Sequence, residues 1–204
     1  MRNKSYSSFY NGLLCYFTPA QLDKIRNARV GIAGLGGLGS NAAFYLARSG
    51  LTKFFFADYD VVDWSNLNRQ HYLPQHVGKK KTDALFGQLL ELNPCITAEC
   101  SCEKISTTNI KSILSQCNLW IEALDKPDIK AFFVNQAMQS AEFVASASGL
   151  CGIGGKLMTK RKINNCVVIG DFESGDDKNF PFAPRVNQAA AMLADCMLEY
   201  ILKN

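Results

Sequence analysis

The sequence predicts an α/β protein with a Rossmann-like, doubly wound, mostly parallel sheet and antiparallel strands at its C-terminal edge. Three observations predict it. Short apolar runs alternate with segments of helical periodicity along most of the chain. The turn GLGGLG, Gly34 to Gly39, joins the first such run to the helix after it. Near the C-terminus the alternation gives way to two adjacent strand-like runs and one long helical segment. At 204 residues, 48% hydrophobic and 20% charged, the chain has the size and composition of a single globular domain spanning 1–204.

The elements follow in order. Residues 1–28 form a helical extension whose second part, TPAQLDKIRNA, carries Thr18 as N-cap, Pro19 at the first helical position and Gln21 completing a capping box. Residues 29–150 form the βαβ core. RVGIAG reads as a buried strand, LGSNAAFYLARSG as a helix stopped by Gly50, and KFFFAD as the second strand. KTDALFGQLLELN, NIKSILSQC and DIKAFFVNQAMQS are the next helices, interleaved with strands CITAEC, LWIEAL and EFVASAS. In 151–204, KLMTKRK and CVVIGD are strands joined by the turn-like INN, FESGDDKNFPFAPR is a polar loop, and VNQAAAMLADCMLEYIL is a closing helix with apolar residues on more than one face, which serve the core or, as the alternative, a partner subunit.

Composition excludes several classes. No apolar run reaches the roughly 18–20 residues of a membrane helix, and the N-terminus lacks a secretory pattern, so a cytoplasmic location with reduced cysteines is expected. None of the eight cysteines is spaced C-x-x-C, so no structural zinc is expected; Cys100 and Cys102 are read as small hydrophobes on one face of a strand. His71 and His76 have no carboxylate cluster beside them. A formal charge of +4, spread along the chain, argues against a nucleic-acid partner.

Gly34, Gly36 and Gly39 form G-x-G-x-x-G between a strand and a helix, the context in which that pattern binds phosphate. Asp58 lies 19 residues after Gly39, at the end of the second strand, where it can accept from ribose hydroxyls. A dinucleotide needs little more. ATP brings about four negative charges that cations and Mg²⁺ must hold. Arg69 in SNLNR, Lys81 in VGKKKTD and Asp125 at the end of LWIEALD supply such groups at one edge of the sheet, and Asp125 is a candidate magnesium carboxylate. Singly, each has a plain structural explanation: a surface ion pair, a solvated helix start, an N-cap.

GLGGLGSNAAFYLARSGLTKFFFADYDVVDWSNLNRQHYL resembles the signature of the ThiF/MoeB family, bacterial relatives of ubiquitin-activating enzymes. The resemblance extends through VGKKKTDAL, IEALDK, ASGLCGIGGK, GDFES and APRV, and the short chain is most similar to the compact ThiF variants assigned to thiamine biosynthesis. It implies ATP-dependent adenylation of the C-terminal Gly-Gly carboxylate of a ubiquitin-like, ThiS-like sulfur carrier, by a homodimer. It also implies site roles. Gly34, Gly36, Gly37 and Gly39 line the phosphate loop, Asp58 holds the ribose, and Asn66 and Arg69 contact phosphates. Lys81 steadies the α-phosphate, Asp125 holds Mg²⁺, and Asp60 and Asn68 complete the ATP-binding set. Arg69, Lys81 and Asp125 are the catalytic residues.

Departures from the family pattern shape the expectation further. Residues 171–184 contain no cysteine, so adenylation without a covalent thioester is expected, with Cys151 and Cys166 the nearest exceptions. The arginine that relatives insert into a partner's site has no clear counterpart; Arg26 and Arg29 are the candidates. Three other readings stand beside adenylation of a carrier: activation of another carboxylate on a peptide or a modified tRNA, an NAD(P)-dependent oxidoreductase, and a nucleotide-binding scaffold without chemistry.

Overall fold

A computed structural model describes residues 2–175 and 180–204, with side chains from residue 8 onward. Part of the polar loop between the last strand and the last helix therefore lies outside the described residues. The elements are α1 (Arg2–Leu13), α2 (Pro19–Asn27), β1 (Arg29–Ala33), α3 (Gly37–Arg48), β2 (Lys53–Ala57), α4 (Lys81–Leu92), β3 (Thr97–Ser101), α5 (Ile110–Leu114), β4 (Leu119–Glu122), α6 (Pro127–Ser140), β5 (Phe143–Ala147), β6 (Thr159–Ile163), β7 (Cys166–Gly170) and α7 (Ala183–Lys203). Two 3-10 turns, Trp64–Asn66 and Pro74–His76, interrupt the connection from β2 to α4.

The strands form one sheet in the order β3-β2-β1-β4-β5-β7-β6. Every pairing is parallel except β6 with β7, so the antiparallel edge is there as expected, with β7 itself parallel to β5. The order reverses between β1 and β4. At that switch the connections leave to opposite sides and open a crevice beyond the carboxyl ends of the strands.

The run Phe54–Phe56 shows why the strands lack polar alternation. Phe54 and Phe56 pack with α3, α4 and α7 in one core, while Phe55 packs with Trp120 and Phe133 of α6 in the other. A sheet covered on both faces needs apolar residues at consecutive positions. Helix α7 lies against α3 and β5, with Ala189, Ala190, Leu193 and Met197 buried, so its apolar residues are core. It starts three residues before the periodic segment because Ala183 and Pro184 form its first turn. The Thr18–Gln21 capping box forms at α2, and α1 adds a helix before it.

Cys100 and Cys102 depart from their reading. Both are exposed, at the edge strand β3 and just after it, on the face shared with α4. Arg29 pairs with Glu99 at 3.0 Å. No helix among the described residues is long and apolar enough to cross a membrane.

Candidate active site

A cleft of about 610 Å³ opens at the carboxyl ends of β1, β2, β4 and β5. Its floor is the glycine turn. Gly34 has φ +89°, and a Cβ there would lie 2.5 Å from the carbonyl oxygen of Ala123, so only glycine lets the turn run this close to β4. A Cβ on Gly39 would lie 1.9 Å from the carbonyl oxygen of Gly34, so its bareness seats α3 on the turn. The first-turn N–H groups of α3, beginning at Gly36 and Gly37, are aimed at this cleft.

The wall beyond β2 is tied to that turn by a closed circuit. Asp58 accepts from the Leu35 N–H at 2.6 Å with one carboxylate oxygen and from the Asp60 N–H at 2.7 Å with the other. Asp60 accepts from Lys81 Nζ at 2.8 Å, and its carbonyl accepts from the Lys81 N–H at 3.0 Å. The buried Tyr72 hydroxyl closes the ring at the carbonyls of Leu35, 2.9 Å, and Lys81, 3.4 Å. Burial raises the Asp58 carboxyl above its ordinary range, opposed by the Leu35 N–H and the Lys81 charge. Burial, reinforced by Asp58 and Asp60, pushes the Tyr72 phenol well above its usual value, so it remains a donor at every physiological pH. Tyr72→Phe should therefore cost about 1 kcal/mol of stability in urea unfolding and loosen nucleotide binding severalfold in titration. A variant equal to wild type in both would show that the hydroxyl is idle.

The opposite wall follows β4. Asp125 is exposed to the cleft and makes no hydrogen bond or ion pair among the described residues. The turn carrying it is shaped by Glu122, fully buried at the end of β4. That carboxylate accepts from the Leu124 N–H at 2.7 Å, from Lys130 Nζ at 2.6 Å and from the Ser146 hydroxyl at 2.6 Å. Lys130 lines the cleft beside Lys126. The mouth is walled by residues after β5 and β7. There Arg185 donates to Asp171 at 2.5 Å and to the carbonyls of Gly154 and Lys156. Asp171 also accepts from the N–H groups of Glu173 and Ser174.

The ThiF family model matches residues 10–203. The chain belongs to the ThiF family. It is 41% identical over 85 residues to ubiquitin-like modifier-activating enzyme 5 of Arabidopsis thaliana, covering 42% of this chain and 20% of that protein. It is 32% identical over 128 residues to the adenylyltransferase and sulfurtransferase UBA4 of Candida albicans, covering 62% of this chain and 29% of that protein. The chain thus spans less than a third of either relative. Among solved structures, the E. coli tRNA N6-threonylcarbamoyladenosine dehydratase TcdA in complex with AMP has the same fold. Its TM-score is 0.82 at 19% identity, over 95% of this chain and 93% of that one.

In this ThiF-family chain Gly34, Gly36, Gly37, Asp58, Asp60, Arg69, Lys81 and Asp125 all line the one cleft. Gly39, Asn66 and Asn68 do not. Gly39 packs beneath the turn. The Asn66 side chain accepts from the Asp63 N–H at 3.1 Å and caps the first 3-10 turn, a task that keeps it from the cleft. Asn68 accepts from Arg69 at 2.8 Å and steadies that guanidinium from outside. Cys151 is buried in the cleft wall. Cys166 sits on β7, where burial and then the Glu122 charge push its thiol up to about 11. The sequence reading missed Glu122, Lys130, Tyr72, Asp171 and Arg185. The last two lie in the motifs GDFES and APRV, and a basic residue and an acid in two flanking motifs were the available signal.

Proposed function

We propose that this ThiF-family chain is an ATP-dependent adenylyltransferase that activates the C-terminal Gly-Gly carboxylate of a ThiS-like sulfur carrier in thiamine biosynthesis, as a cytoplasmic homodimer. One observation carries the reading: a phosphate-binding turn shares its cleft with Arg69, Lys81 and the free carboxylate of Asp125. A nicotinamide dinucleotide makes no demand for those three groups.

ATP is placed with its ribose at Asp58, its phosphates on the α3 N-terminus, and Arg69 and Lys81 beside them. The carrier's carboxylate, already ionised near neutral pH, attacks the α-phosphorus in line. A C–O–P linkage forms, the bond from the α-phosphorus to the bridging oxygen breaks, and pyrophosphate leaves with the electron pair. No proton moves, so no general base is required. The work of the chain is orientation and neutralisation, with Lys81 held at its post by Asp60.

Mg²⁺ fits the residues present. It binds through one or two carboxylates plus substrate phosphates, and Asp125 offers an unpartnered carboxylate at the cleft. When bound there it supplies charge neutralisation to the departing pyrophosphate. The absence of cysteine from 171–184 favours release of the acyl-adenylate without a thioester on that segment.

The likeness to TcdA supports a second reading, activation of a carboxylate on a modified tRNA. The assay that tests both is ATP–pyrophosphate exchange by the purified chain with Mg²⁺ and a Gly-Gly-ended carrier. Exchange that appears only with the carrier supports the leading reading. No exchange with any such carrier, alongside tight NADH binding, overturns it, and exchange driven by tRNA moves the assignment to the second.

A further inference from the structure

Gln70 has no part in the chemistry described so far, and its surroundings ask for one. It lies in the cleft lining beside Arg69 and is only 8% exposed. Its main chain is fixed on both sides, the N–H donating to the Asn66 carbonyl at 2.9 Å and the carbonyl accepting from the Tyr72 N–H at 2.8 Å. Its side-chain Oε1 is sealed from solvent and has no hydrogen-bond partner. The other end of the amide, Nε2, stands 3.7 Å from the point where a Cβ on Gly36 would lie. No described residue accepts a hydrogen bond from it.

Buried polar groups are ordinarily paired, and methionine would fill this space without leaving an amide unsatisfied. The amide instead lies with its oxygen shut in and its NH₂ beside Gly36, the N-cap of α3. The unpaired N–H groups and positive dipole end of that helix face the same cleft, and a donor there is aligned with them for an anion.

We infer that Gln70 donates from Nε2 to a phosphoryl oxygen of the bound nucleoside triphosphate at the N-terminus of α3. It is a binding residue that directs the phosphates with a neutral group next to the charge of Arg69. A neutral donor fixes direction without adding to the attraction that would hold the pyrophosphate product. The identity of the ligand rests on the function proposed above.

The test is calorimetric titration of the full chain with ATP and Mg²⁺, paired with thermal unfolding of the nucleotide-free protein, for wild type, Gln70→Met and Gln70→Glu. Gln70→Met should bind ATP about 5- to 10-fold more weakly while unfolding at the wild-type temperature or above, because the unpaired carbonyl is gone. Gln70→Glu should bind about 30-fold more weakly or worse, since it places an anion against phosphates. Wild-type binding that both variants retain within twofold overturns this inference alone. So does a Gln70→Met protein whose weaker binding comes with a lower unfolding temperature, which marks a packing role. A wild type with no affinity for ATP overturns the proposed function and this inference together.

Discussion

Asp125→Ala should lower carrier-dependent ATP–pyrophosphate exchange by about 10²- to 10³-fold or more while leaving thermal unfolding unchanged. The two halves of that expectation have separate causes. The Asp125 carboxylate is exposed and partnered by no described residue, so the fold loses nothing when it goes. The turn that carries it is held by Glu122 through the Leu124 N–H and through Lys130, and neither bond depends on residue 125. What disappears is a cleft carboxylate that no described residue partners, the group proposed above to hold a divalent cation. Asp125→Asn should fail almost as badly, because it keeps the size and loses the charge. Exchange near the wild-type rate in either variant would remove Asp125 from the mechanism.

Arg185→Met should cost about 3 kcal/mol in urea unfolding at pH 7. The Arg185 and Asp171 side chains are 9% and 4% exposed, so removing the guanidinium leaves a carboxylate buried without its cation. It also frees the carbonyls of Gly154 and Lys156, which hold the loop after β5 against the cleft mouth. The pH dependence follows. Burial alone would raise the Asp171 carboxyl, but the Ser174 and Glu173 N–H groups and the Arg185 charge outweigh it and hold it below the usual carboxylate range. A carboxyl depressed in the folded state adds stability above its unfolded value and loses it as pH falls through the folded one. The gap between wild type and variant should therefore narrow below about pH 4. A gap that is constant from pH 7 to pH 3 would locate the effect in lost packing and not in charge.

Arg185 also shows where reading the sequence stops. Its motif was visible, but its partner lies 14 residues away across a loop, and nothing in local spacing says that the two meet. Glu122 was hidden differently. In LWIEALD it reads as one polar letter inside a strand, and only the fold brings Ser146 and Lys130 to it. What periodicity and punctuation encode was legible: the glycine turn, the Asp58 spacing, the alternation of strand and helix, and the antiparallel finish. The amides in SNLNRQ were the hardest to place. Asn66, Asn68 and Gln70 are chemically alike, yet one caps a 3-10 turn, one braces Arg69 and one faces the cleft. The family resemblance assigns Asn66 and Asn68 to the ATP site and gives Gln70 no role, whereas side-chain hydrogen bonds and burial set the three apart.

The ring through Leu35, Asp58, Asp60, Lys81 and Tyr72 has a thermodynamic consequence. Its bonds are made wholly within the protein, so the glycine turn and the lysine are already fixed relative to each other when a ligand arrives. Little conformational entropy on that wall remains to be lost on association. The ordering has been met during folding, through a buried carboxylate and a buried phenol that stability alone would not favour. Affinity at this wall is therefore set by contacts and desolvation, and differences between ligands should emerge in dissociation rates more than in association rates.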